Sequence, residues 1–460
     1  MNIIRRPVIN RQDRIRPSFR EGAILAACLW LLIGPRITLM NIASSSIRLE
    51  DGVLSLLALV TATHWTRSQR KQMGPTGIAI VVLAALAACT VGVLASRLSP
   101  GAGILYALRP LEYWFVLPCV VILLEGRDFN ARMMWITSLL QWVTLAQVGV
   151  SALQYLGGIS IGFSKFSYER GAGLAAGPYE LGALCALLAC FWFDRRRYGL
   201  FLTSLAGIVM SQSRISMAAI VISIALLIAI RVRTQERPIY LPNARSKSAY
   251  AIPTMAVTLG VTGLILFWPQ ISDSLLAPAL DRVGSTSLLA AWSHAGVLAQ
   301  NIAPVNSAVE YTQIAYGAIA DLLSGNNTGD ASNIVRFYRW HILLNSMSFP
   351  RDLLLGLGPS FAGPSVDGAF LRIFVESGIV GALAWLTMFT KWIRSTPAWF
   401  GAAGLSLLIG SIFIDLPFAL RPMVLLWILF AVAKVQARND ELNTIPDRTP
   451  TNTTTEGITR

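Results

Sequence analysis

The chain has 460 residues, 54% of them apolar and only 13% charged, and its 38 Lys and Arg against 24 Asp and Glu give a net charge of +14. With a mean hydropathy of +0.57, this balance excludes a water-soluble enzyme, in which about 25% of residues are charged. The basic excess falls in short connections between apolar stretches, which reads as membrane orientation and not as a nucleic-acid surface, so no nucleic-acid partner is expected.

In chain order, a basic N-terminal tail covers residues 1–21 and holds six arginines (Arg5, Arg6, Arg11, Arg14, Arg16 and Arg20). Windows of about 19 residues then predict spans near 22–40, 52–65, 77–97, 108–124, 133–155, 173–193, 198–212, 215–230 and 250–269. A large loop follows at 270–367, further spans are predicted near 368–390, 397–415 and 419–437, and a polar tail at 438–460 has the composition of a disordered segment. The expected fold is thus an all-α polytopic membrane protein with about 12 transmembrane helices and one large helical periplasmic loop. Arg67, Arg70, Lys71, Arg127, Arg132, Arg195, Arg196, Arg197, Arg231, Arg233, Lys391 and Arg394 alternate to the same side as both tails, which predicts that side to be cytoplasmic. No A-x-A-like cleavage site follows the first apolar core, so an uncleaved anchor is expected. The five cysteines (Cys28, Cys89, Cys119, Cys185, Cys190) lie in apolar segments without metal-ligand spacing, which supports neither a disulfide framework nor a zinc site.

Within the large loop, the Gly-Asn-Asn-Thr-Gly-Asp run at 325–330 precedes Ser332, a predicted N-cap of a helix through about 348 that Pro350 ends. Spacings of three and four place Arg336, Arg339 and Trp340 on neighbouring positions of that helix, so two guanidiniums share one face. His341 adjoins them as a further candidate, with ordinary surface or core packing as the competing reading. Two more outward arginines stand out. Arg170 sits in the glycine-rich Tyr168-Glu169-Arg170-Gly171-Ala172-Gly173, ahead of Gly177-Pro178-Tyr179-Glu180, and Arg214 closes Ser211-Gln212-Ser213-Arg214 between two spans. Guanidiniums converging without an acidic metal cage suit a phosphate or diphosphate bound at the membrane surface. The bland alternative for any one of them is snorkelling or a structural ion pair, as for Arg372 and Glu376 at i and i+4. His64, His294 and His341 lack ligand spacing, no D-x-D stands in the outer loops, and neither a P-loop nor G-x-S-x-G occurs. No metal and no cofactor is expected.

The order of Arg-Gly-x-Gly and Gly-Pro-Tyr-Glu, Ser-Gln-Ser-Arg, an outer loop with Arg-x3-Trp (Arg336 to Trp340), Gly-Leu-Gly (356–358) and the returning Asp-Gly-Ala-Phe-Leu-Arg-Ile-Phe-Val-Glu-Ser-Gly-Ile-Val-Gly (367–381) resembles the O-antigen ligase and Wzy-type O-antigen polymerase superfamily, over roughly residues 165–385. The resemblance implies a GT-C-like glycosyltransferase of the bacterial inner membrane, acting at the periplasmic face on an undecaprenyl-diphosphate-linked glycan. By the same alignment Arg214 matches the family's span-end arginine and Arg336 its loop arginine, whereas Arg170 matches a less regular position. Ligases usually open the returning span with His-Asn. Here Asp367-Gly368 stand there, which leans toward the polymerase branch.

The implied reaction is metal-independent and inverting. Arg214 and Arg336 stabilise the departing diphosphate, and Asp367, with Glu180 and Glu169 behind it, accepts the proton of the incoming hydroxyl. Arg170, Arg339, Glu180, Trp340 and His341 are the expected substrate-binding residues; Trp340, Tyr338 and Phe361 either stack on sugar faces or pack the loop core. Expected partners are the lipid-linked glycan and membrane lipid, with a chain-length regulator as a further candidate. The alternatives are a ligase that transfers glycan to lipid A core or protein, and a secondary transporter or flippase, which should carry ion-coordinating groups in broken helices.

Overall fold

The computed structural model describes residues 17–42, 45–64, 112–125, 128–157, 170–234, 288–317, 331–359, 361–362, 366–394 and 396–444. Among them the chain begins with α1 (Phe19–Ile33), a hairpin of β1 (Thr38–Ile42) and β2 (Ser45–Arg48), and α2 (Leu49–His64). Next come α3 (Val116–Leu124), α4 (Phe129–Gly157), α5 (Pro178–Asp194), α6 (Tyr198–Ser211) and α7 (Arg214–Thr234). The large loop contributes α8 (Leu288–Ala299), α9 (Ala308–Gly317), α10 (Ala331–Asn345) and the short α11 (Arg351–Leu355). The chain then runs through α12 (Ala369–Arg394), α13 (Ala398–Gly410), a 3-10 turn (Leu416–Phe418) and α14 (Leu420–Thr444).

This is an all-α membrane protein. Segments of α4, α7, α12 and α14 are each long and apolar enough to cross a bilayer. Ten of the predicted spans fall on described helices, α1 to α7 and α12 to α14; those at 77–97 and 250–269 lie outside the described residues, as do Cys89, Glu169 and the polar run at 325–330. Cys28, Cys119, Cys185 and Cys190 are buried and free.

Burial sorts the helices into inner and outer ones. From Pro178 to Phe193, α5 is buried on all sides but for Tyr179, and α14 is buried from Leu420 to Ala433, the signature of helices enclosed by others. By contrast α7 exposes Val221, Ile222 and Leu226, and α12 exposes Ile379, Val380, Leu383 and Leu386, apolar faces that suit a hydrocarbon solvent. Close contact between α5 and its neighbours needs small residues. A Cβ on Gly182 would meet Ser216 Oγ at 2.7 Å and Ser211 Oγ at 2.9 Å, and one on Gly207 would meet Cys185 Sγ at 2.7 Å.

Ion pairs and hydrogen bonds fix the direction of each helix. At one end, here the basic end, Arg132 pairs with Glu21 (2.8 Å), Arg231 with Asp194, Arg438 with Glu125 (3.6 Å), and Arg195 donates to Gln436 (2.7 Å). At the opposite end, the site end, Arg36 pairs with Glu180 (2.6 Å), Arg421 Nη2 donates to Gly34 O (2.6 Å), Arg170 reaches Ser211 O, and Ala369 N donates to Ser411 O (2.9 Å).

Two expectations are corrected. The first span does not run to residue 40: α1 stops at Ile33, because Gly34 turns extended (φ −64°, ψ 156°) and Pro35 has no N–H to continue the ladder, and the chain doubles back as the β1–β2 hairpin. In the loop, α10 ends at Asn345 and not near 348, and Pro350 serves instead as the N-cap of α11.

The loop helices fold around their own core, with Ala291 and Ala295 of α8, Tyr311 of α9, and Phe337, Tyr338, Ile342 and Leu343 of α10 buried together with Leu357, Phe361 and Val366. Burial raises the Tyr338 phenol above its ordinary value. Gly356 and Gly358 join this unit to the membrane bundle through a break in α12. At Gly378 the backbone takes φ 65°, ψ −169°, a region essentially closed to residues with a Cβ. The carbonyls of Val375 and Glu376 thereby lose their helical donors and accept from Leu357 N (2.7 Å) and Gly358 N (3.1 Å) instead. A Cβ on Gly356 would sit 2.5 Å from the Glu376 carbonyl carbon, and one on Gly378 would overlap the Leu354 carbonyl. Gly378→Ala should therefore destabilise the fold by about 1–3 kcal/mol, read as a lower Tm of the detergent-solubilised protein; an unchanged Tm would mean the loop does not need the break.

Candidate functional site

Four of the predicted residues meet at the site end. On α10, Arg336 and Arg339 are both buried, each 8% exposed, and Trp340 is half-buried beside them. Arg336 Nη1 donates to Asn333 Oδ1 (2.7 Å), its guanidinium lies 5.5 Å from the centre of the Phe413 ring, and its buried Nε has no hydrogen-bond partner among the described residues. Arg339 Nε donates to Ala315 O (3.4 Å), and its Nη1 lies 3.4 Å from Asp367 Oδ2. The Asp367 side chain is 37% exposed, so one carboxylate is at once tied to a buried cation and open to a ligand.

Trp340 does not offer a free ring face to a sugar. Its indole N–H donates to Val366 O (2.9 Å), and its ring stacks on Phe413 (centroids 6.2 Å apart) and packs against Phe337 and Trp292. Gly368 is required beside it, because a Cβ there would lie 2.6 Å from the indole. Trp340 thus wedges the Asp367 turn against α10. Tyr338 and Phe361 are buried in the loop core. His341 belongs to the contact between α8 and α10: its Nε2 is 3.2 Å from Trp292 O, its ring centre is 4.1 Å from that of Trp292, and Gly296 makes room for it.

Asp367 itself adopts a left-handed backbone (φ 57°), which costs a residue with a Cβ about 1–2 kcal/mol, less for aspartate than for most. A second such turn precedes Arg214. There Gln212 has φ 50°, Ser213 Oγ caps α7 by accepting from Ser216 N (3.4 Å), and Arg214 is the first residue of the helix. A cation at a helix N-terminus opposes the macrodipole, so Arg214 gains nothing there for helix stability. A guanidinium beside a helix N-terminus is an arrangement that suits an anion, because both attract negative charge.

Arg170 and Glu180 act on the framework. Arg170 Nε and Nη2 donate to Ser211 O (3.2 and 3.1 Å), its guanidinium lies 4.6 Å above the Tyr179 ring, and Gly171 N bonds Met210 O (2.9 Å), so this segment clamps the end of α6 and the turn carrying Arg214. Glu180 is buried. Its Oε1 takes Arg36 Nη2 (2.6 Å) and Arg421 N (3.4 Å), and its Oε2 takes Ala176 N (2.7 Å).

Two residues at this end, Asp415 and Phe413, escaped the sequence reading. Asp415, in the turn after α13, accepts from Val366 N, Gly368 N and Arg372 Nη1, and Phe413 lies under Arg336 and Trp340. An aspartate in the otherwise apolar Ser-Ile-Phe-Ile-Asp-Leu-Pro run (411–417) was the available signal. Arg421 is buried between Glu180 and Gly34. The Arg372–Glu376 pair expected from spacing is present (3.3 Å), with Asp415 as a second, closer partner (2.8 Å). Among the described residues, no three His, Cys, Asp or Glu come together as metal ligands.

No protein-family model matches the chain, and no curated protein matches it significantly.

Proposed function

We propose that the chain is a glycosyltransferase of the bacterial inner membrane, with about 12 spans and cytoplasmic termini, that polymerises undecaprenyl-diphosphate-linked repeat units of a surface polysaccharide on the periplasmic face. The observation that carries this reading is the pairing of Arg339 with the partly exposed Asp367 on the helix that also carries Arg336, at the end of the bundle where Arg214 opens α7. In the proposed step, an acceptor hydroxyl oxygen attacks the anomeric carbon of the donor sugar and its proton passes to Asp367. The bond from that carbon to the diphosphate oxygen breaks, and the electron pair leaves with the lipid diphosphate. Arg336 and Arg214 hold the charge that develops there. Attack opposite the leaving group inverts the anomeric centre.

A secondary transporter or flippase is the second reading. One observation favours it: the break in α12 at Gly378, about 13 Å along the helix from Ala369, beside the buried Arg372 and Glu376 and the half-buried Asp415.

Disrupting the gene in its host and resolving surface polysaccharide on a gel separates the readings. A single repeat unit on its anchor supports the polymerase. Polymer left on the lipid carrier points to a ligase, and unchanged glycan to transport of another substrate. Complementation with Asp367→Asn should lower elongation by about 100-fold or more; full chain length in that strain would dismiss Asp367 as the base.

A further inference from the structure

Asp415 lies 48 residues from Asp367 in sequence, yet the two carboxylates belong to one turn of structure. Oδ2 of Asp415 accepts from Val366 N (2.9 Å) and Oδ1 from Gly368 N (3.2 Å), the two main-chain donors that flank Asp367. Between them Asp367 takes its left-handed conformation, and N–H groups on either side of such a residue form a concavity suited to an anionic oxygen. The same Asp415 carboxylate is oriented by Arg372 Nη1 (2.8 Å), whose guanidinium is 1% exposed and is held in turn by Glu376 and by the Phe418 ring 5.0 Å away. The next amide, Ala369 N, bonds Ser411 O (2.9 Å) in the same turn. The Asp367 segment is therefore fastened to the turn after α13, and its side chain projects to Arg339 on the opposite side.

A structural ion pair for Arg372 alone does not explain this arrangement. Glu376 on its own helix already supplies one carboxylate, and Asp415 spends both oxygens on main-chain donors of a neighbouring segment. We propose that Asp415 is the positioning residue of this site: its two carboxylate oxygens hold the N–H groups on either side of Asp367 and so set the direction of the Asp367 carboxylate. The inference rests on the reading of Asp367 as the proton acceptor in glycan elongation. Asp415 touches neither sugar nor diphosphate, and acts through the turn.

The test uses the full-length protein carrying Asp415→Ala, with Asp415→Asn as the second variant if the first fails to accumulate, since asparagine keeps the volume and one acceptor oxygen. Hydrogen–deuterium exchange of the detergent-solubilised protein should show amides in the 366–369 peptide exchanging at least about 10-fold faster than in the parent; unchanged exchange there overturns the anchoring. Elongation is then measured in membranes, with lipid-linked repeat unit extracted from the gene-disrupted host as the probe. A loss in kcat of about 100-fold with KM within about twofold is expected, as for a misaimed catalytic group; parent kinetics, or a change in KM alone, overturn the positioning role. In an Asp367→Asn background, adding Asp415→Asn should cost nothing further, and an additive loss would give Asp415 a separate task. If Asp367→Asn by itself keeps parent activity, the catalytic reading of Asp367 fails, while the exchange measurement still decides whether Asp415 holds the turn.

Discussion

Arg336→Ala should reduce glycan elongation by at least about 100-fold, the scale on which removing one preorganised charge stabiliser is felt, with the protein still inserted and monodisperse. The side chain is 8% exposed and contributes one hydrogen bond to Asn333 and a ring contact to Phe413, so truncation empties a small volume at the edge of the loop unit and leaves no partner charge stranded. Among the described residues its Nε has no hydrogen-bond partner, a cost that a purely structural arginine would be expected to avoid. Arg336→Lys sharpens the test. Lysine keeps the charge but loses the planar fork that meets two phosphate oxygens at once, so it should remain severely impaired. Surface polysaccharide from a disrupted strain complemented with each variant reads the outcome: chains of parent length from either one would remove Arg336 from the leaving-group role, and full rescue by lysine alone would reduce that role to simple charge.

The helices were legible in the sequence because each bilayer-facing segment must be apolar over most of its length, and because basic residues gather at one end of them. Within α10, the spacing of Arg336, Arg339 and Trp340 located a shared face that the fold turns toward Asp367. What spacing along one helix does not contain is the other wall of the site. Asp415 reaches the Asp367 turn only because α13 ends where α12 begins, and Glu180 finds Arg36 and Arg421 at separations of 144 and 241 residues. Local signals were also outweighed. Pro35 marked the end of α1, but the apolar run beyond it suggested a longer span, and the chain satisfies its backbone there in a hairpin. The break in α12 gave little warning, since a single glycine such as Gly378 sits in many continuous membrane helices; only the docking of Gly356 and Gly358 against it gives the lost carbonyl bonds new donors.

Glu180→Ala should unfold or severely weaken the protein, by about 3 kcal/mol or more, the cost of stripping a buried ion pair of one partner. The sequence reading placed Glu180 at the substrate; the fold places it in the first turn of the most enclosed helix, where it joins α5 to the segment after α1 and to the start of α14. Its carboxylate faces Arg36, while Arg421, 1% exposed, has only Gly34 O as a hydrogen-bond acceptor for its guanidinium among the described residues. Removing the carboxylate leaves two positive side chains near one another without the negative charge that faces both, and also frees the amides of Ala176 and Arg421. Glu180→Gln retains the shape and one acceptor oxygen but not the charge, so it should fall between parent and alanine in Tm and in the yield of monodisperse protein from detergent. A parent-like Tm for Glu180→Ala together with lost polymer would return Glu180 to the substrate, because a residue whose removal the fold tolerates but the reaction does not must act on the reacting groups and not on the scaffold around them.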